Sequence, residues 1–187
     1  MKRKIVALIS FVVLAALAGG FFYFWQNQKD VRALNKTLPK GVFITKSLWG
    51  NEYKVVNKID NYEFKVPKAW TGIEKIEYIP ETSDEKYPVT SINLKGLKGG
   101  SRLVAVDKFT TEQNPEINDW AQKIFDEYGF SGKFTAGKIN NIDIVKTQEN
   151  VHLGGMYVYF FSKNSAIYVI TNASEESIKE IILNGKW

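Results

Sequence analysis

The chain carries one histidine, His152, and Glu149 stands three residues before it, so two metal-capable side chains lie close in sequence. A structural or catalytic zinc takes three or four protein ligands, and there is no cysteine and no second histidine to complete the set. His152 therefore reads as a loop histidine, and neither a metal nor a cofactor is expected. A nucleophilic serine finds no support either. Gly99-Gly100-Ser101 leads into Arg102, without the Gly-x-Ser-x-Gly spacing that exposes a serine on a strained strand-to-helix turn. Residues 96–100 are glycine-rich but lack the Gly-Lys-Ser/Thr that grips phosphates, and they run into a strand pattern, which makes them a hairpin loop. The acid pairs Asp84-Glu85, Asp126-Glu127 and Glu175-Glu176 fall in a polar loop or at helix ends, where solvation or the helix dipole accounts for them. Carboxylate catalysis needs two acids converging in one cleft. No catalytic residue is expected. Trp49, in a turn beside Gly50, and Tyr87, in a polar loop, are the rings hardest to bury. Exposed Trp and Tyr are common interface anchors, so both are candidate partner-binding residues; the alternative is a ring folded back over a sheet edge.

The elements that would carry these residues begin with an address. Residues 5–25 are a nearly unbroken apolar run behind Lys2-Arg3-Lys4. Its 21 residues span about 31 Å as a helix, enough for a hydrocarbon core of about 30 Å. The run ends in Phe21-Phe22-Tyr23-Phe24-Trp25, an aromatic cluster of the kind that settles at headgroup level. A cleavable signal ending at Ala16-Leu17-Ala18 is the competing reading, but signal cores are about 7–15 residues long. The basic flank places the N-terminus in the cytoplasm and the rest of the chain outside, as a single-pass protein of the cell membrane. With residues 1–30 set aside, 21 basic and 19 acidic residues remain, a net charge of +2 with the signs interspersed. That balance excludes the basic stripe of a nucleic-acid binder.

Residues 26–39 read as a juxtamembrane stalk. Beyond them, period-two patterns predict strands over 41–47 and 52–56, joined as a hairpin through Trp49-Gly50-Asn51, and over 62–66, 73–79, 89–94 and 102–109. A helix is predicted after Asn114-Pro115-Glu116, with Ile117, Trp120, Ala121, Ile124, Phe125 and Tyr128 as its apolar stripe and Gly129 as its stop. Strands resume over 133–138, 142–147, 156–162 and 166–171, with Lys163-Asn164-Ser165 as a tight turn. Ser174 then caps a last helix carrying Ile178, Ile181 and Ile182, with Gly185 near its end. This order predicts an α+β fold, an antiparallel sheet with helices packed on it.

Tyr62-Glu63-Phe64-Lys65-Val66-Pro67-Lys68-Ala69-Trp70 resembles the strand that opens PsbP-like domains, and the segment from Met156 through Ser174 resembles their end. The resemblance covers about residues 57–187. It implies an αβα sandwich and a non-enzymatic role assisting a membrane protein complex; the anchor and the hairpin before Asn57 depart from the family pattern. The expected organisation is an anchor over 1–30, a stalk and hairpin over 31–56, and a PsbP-like extracytoplasmic domain over 57–187. The expected function is a membrane-anchored, non-enzymatic binding or accessory module. A small hydrolase with an unrecognised active site, or a carrier of a small apolar ligand, is the alternative.

Overall fold

The computed structural model describes residues 2–47, 50, 52–70, 72–81, 87–96, 103–111, 115–127, 132–147 and 157–187. The apolar run forms helix α1 (Lys2–Asn27). Its stretch Ile9–Asn27 has a mean hydropathy of 1.7 and none of it is buried within the protein, as a helix long and apolar enough to cross a membrane should be. A short helix, α2 (Lys29–Asn35), follows almost without interruption.

Alternation then builds a small sheet. Strands β1 (Val42–Lys46), β2 (Tyr53–Asn57) and β3 (Tyr62–Lys65) pair antiparallel in that order. Val42, Ile44, Tyr53, Val55, Tyr62 and Phe64 are all buried, each two residues from the next on its strand. The β2–β3 turn is held by Asn57, whose side-chain oxygen accepts from the Ile59 and Asp60 amides, both at 3.0 Å. Asn61 completes the turn with φ +59°, a left-handed conformation that Asn tolerates.

The second sheet has seven strands: β4 (Lys75–Ile79), β5 (Val89–Lys95), β6 (Leu103–Thr110), β7 (Phe134–Ile139), β8 (Ile142–Thr147), β9 (Tyr157–Lys163) and β10 (Ala166–Ala173). Their spatial order is β4-β5-β6-β10-β9-β8-β7, antiparallel throughout, so two meanders meet where β10 pairs with β6. The β9–β10 hairpin turns on Asn164 and Ser165, both left-handed at φ +51° and +58°, the two-residue turn that suits the twist of paired strands. Strands β9 and β10 lie mid-sheet and are covered on both faces. Val158, Tyr159, Phe160 and Phe161 are therefore all buried, as are Ala166, Ile167, Tyr168, Val169 and Ile170.

Helix α3 (Ile117–Glu127) covers one face, burying Trp120, Ala121, Ile124 and Phe125 against Phe109, Val145, Phe160 and Val169. Asn114, the expected cap, lies outside the described residues. The Glu116 carboxylate accepts from the Asn118 and Asp119 amides at 3.0 and 3.1 Å. The other face carries the small sheet, α2 and helix α4 (Glu175–Asn184), which contributes Ile178, Ile181 and Ile182. Ser174 caps α4, its Oγ accepting from the Ser177 amide at 3.3 Å. Gly185 is extended, not left-handed, and its role is space: a Cβ there would lie 2.3–2.4 Å from the Trp187 ring.

The α+β order and the packing of helices on an antiparallel sheet are as expected from the sequence. Two differences stand out. The strands form two sheets, because Tyr62–Lys65 pairs with the N-terminal hairpin and not with the larger sheet, and this pairing crosses the expected junction at 56/57. Residues 26–39 are no free stalk either. They contain α2, whose Val31 and Leu34 are buried in the core beside Ile44 and Val55.

Candidate functional site at the junction of α1, α2 and β1

Val31, Leu34 and Leu38 recur at i, i+3 and i+7, so a helix here presents one apolar edge. That edge meets β1. Val31 and Leu34 are 5 % and 7 % exposed, and Leu38 packs against the same core. Amide side chains occupy the edge of β1 that no strand covers. Asn35 donates from Nδ2 to the Ile44 carbonyl at 2.9 Å and accepts the Ile44 amide at 2.8 Å. Gln28 Nε2 reaches the Lys46 carbonyl at 3.2 Å, and Asn27 Nδ2 the Ser47 carbonyl at 3.3 Å. An uncovered strand edge invites pairing with other chains, and these side chains blunt it.

Charge reinforces the contact. Asp30 accepts from the Tyr53 hydroxyl at 2.5 Å, from Lys46 Nζ at 3.1 Å and from the Val31 amide at 2.9 Å. Burial pushes the Asp30 carboxyl up, but the hydrogen bonds from Tyr53, Lys46 and Val31 outweigh it and hold its pKa below the usual value. The same pair raises Tyr53, by burial first and by its bond to the carboxylate second. On the other side of the helix Arg32 folds back toward the span. Its guanidinium lies 3.7 Å from the centre of the Trp25 ring and donates to the Trp25 carbonyl at 2.8 Å. The Gln28 and Arg32 amides bond the Phe24 and Gln28 carbonyls, which carries the helical pattern across the break between α1 and α2. Gln26, Asn27, Lys29, Asp30, Ala33 and Lys46 line an open cleft of about 480 Å³ at this level.

A second polar group sits on the large sheet. Asp107 of β6 lies between Ser91 of β5 and Val169 of β10 in the register. It is half-buried by surface area, yet its carboxyl is closely surrounded, and burial raises its pKa to about 6 against a hydrogen bond with Ser91 that lowers it. A third group ties α4 to the sheet. Glu175 accepts from Lys146 at 2.7 Å and from the Tyr159 hydroxyl at 2.9 Å, and pairs with Lys179 at 2.9 Å. The three partners bring its pKa down to about 2. This is the geometry of a structural clasp, three charge-assisted contacts on one carboxylate.

Of the residues singled out in sequence, Trp49, Ser101, His152 and its neighbour Glu149 lie outside the described residues, as do Asp84 and Glu85. Tyr87 is half-buried, edge-on to Trp120 at 6.3 Å, with Lys123 Nζ 5.8 Å from its ring centre. Asp126 and Glu127 are exposed on the last turn of α3. Among the described residues no three His, Asp or Glu side chains gather where a cation would bind. The junction of α1, α2 and β1 escaped the sequence reading although its signal, the Val31/Leu34/Leu38 stripe, was available.

No protein-family model matches the chain, and no curated protein or solved structure matches it significantly.

Proposed function

We propose that the chain is a membrane-held accessory module, non-enzymatic, with its PsbP-like domain outside the cell and presented to a partner in or on the same membrane. One observation carries this reading: Val31 and Leu34, within ten residues of the end of the apolar run, belong to the core of the folded domain. A tether serving only to retain a domain needs no such contact, and a loose polar linker would do. A helix continuous with the span and docked by Asn35, Gln28 and Asp30 sets the height and direction in which the domain stands. Such control matters for a surface that must meet another membrane-bound surface, where confinement already raises the effective concentration.

The chemistry of the described residues agrees with a binding role. Asp107 is the described acid most displaced toward neutrality, and burial between two strands of the sheet is the cause. Glu175 and Asp30 are spent on internal partners.

The test separates tethering from orientation. Partner capture by cross-linking in intact cells should survive replacement of residues 5–25 by an unrelated spanning helix. It should fall when a flexible Gly/Ser insert follows Asn27, and fall further when residues 31–187 are released as a soluble protein. Turnover of an esterase or glycosidase substrate by the released domain, abolished by one point substitution, would overturn the non-enzymatic reading.

A further inference from the structure

Trp25, Lys29, Arg32 and Lys36 recur at i, i+4, i+7 and i+11 along the α1–α2 helical path, on the side away from the Val31/Leu34 edge that enters the core. Lys29 and Lys36 are exposed and Arg32 half-exposed. Arg32 does not extend outward. It turns back and rests on Trp25, so its charge stands at the depth of that ring and not a full two turns beyond it. The nearest acid, Asp30, is occupied by Tyr53, Lys46 and the Val31 amide. Among the described residues no carboxylate pairs with Lys29, Arg32 or Lys36, and the face stands where the apolar span gives way to polar chain. No free helix end contributes, since the amides of Gln28 and Arg32 are bonded within the helical path.

We infer that Lys29 and Arg32, with Trp25 beneath the guanidinium, seat the phosphate of an anionic phospholipid headgroup on this exposed face of the α1–α2 path, where the apolar run ends. The ring supplies a flat apolar floor at the boundary of the hydrocarbon. Arg32 keeps guanidinium N–H groups beyond the one spent on the Trp25 carbonyl, and Lys29 adds a mobile ammonium at the cleft rim. The inference rests on the reading that α1 spans the membrane.

The full chain is reconstituted in lipid discs of equimolar phosphatidylcholine and phosphatidylglycerol, and the lipids retained on the released protein are counted by native mass spectrometry. Phosphatidylglycerol should be retained in preference, and Lys29→Gln and Arg32→Gln should each lower that preference about fivefold, with an unchanged melting temperature. Added inorganic phosphate should leave the count unchanged; its displacing the lipid would overturn the assignment in favour of a free anion. Equal retention of the two lipids by a chain inserted in the discs, or an unaltered preference in the double variant, would overturn the seat alone. A chain recovered outside the discs would overturn the spanning reading and the seat with it.

Discussion

Asn35 is bonded twice to the main chain of Ile44, donating to its carbonyl at 2.9 Å and accepting its amide at 2.8 Å. A side chain on a helix thus completes the edge of a strand, and through it the path from the apolar helix α1 enters the fold. Asn35→Ala leaves both Ile44 groups without a protein partner and should cost about 1–3 kcal/mol. Denaturant unfolding gives the magnitude, and faster hydrogen exchange at the Ile44 amide gives the place. Unchanged exchange there would mean that α2 does not hold β1.

Trp70 is 2 % exposed and lies in the core between the two sheets, its amide bonded to the Pro67 carbonyl at 2.9 Å. Trp70→Ala should destabilise the domain by about 3–5 kcal/mol, as large-to-small changes of aromatic core residues do. An unaltered unfolding midpoint would show that the ring does not pack there.

Asp107 gives a pH signature of opposite sign to most acids. Its folded pKa of about 6 lies above the ordinary 3.8, so the folded state holds the proton more tightly. Stability should fall as pH rises from about 4 to about 6 and then level off. Asp107→Asn should accordingly raise the melting temperature near neutral pH and change it little near pH 4. Equal effects at both pH values would place the cause elsewhere.

Glu175 should behave in the reverse sense. Its folded pKa of about 2 lies below the ordinary 4.5, so its stabilisation is complete above about 4.5 and is lost as pH falls toward 2. Glu175→Gln should lower the melting temperature near neutral pH and flatten its dependence on acid. A variant with the wild-type acid profile would rule out the Lys146–Glu175–Tyr159 clasp as its source.

Much of this fold was legible because burial writes itself into spacing. Ile142–Thr147 has the predicted bounds, and the doubly covered β9 and β10 read as continuous apolar runs for a physical reason. Ser174 was legible as a cap because its hydroxyl has one local task. Which sheet a strand joins was not legible: Tyr62, Phe64 and Val66 alternate identically whether they pair with β2 or with the larger sheet. The junction of α1, α2 and β1 was half legible. Its apolar stripe is in the sequence, but the bonds from Asn27, Gln28 and Asn35 to β1 depend on a partner nine to twenty residues away. Asp107 carries no signal of its own, since its perturbation comes from the strands on either side.

The apolar helix and the domain are joined firmly at α2. The sequence has no cysteine, so single cysteines introduced at exposed Leu17 and Ile59 carry spin labels at those two sites alone. The distance distribution between them, measured by pulsed electron paramagnetic resonance on the full chain in lipid discs, should be a single narrow peak that broadens in Asn35→Ala. A broad distribution in the otherwise unaltered protein would contradict the account, because it would show a domain swinging freely on its tether.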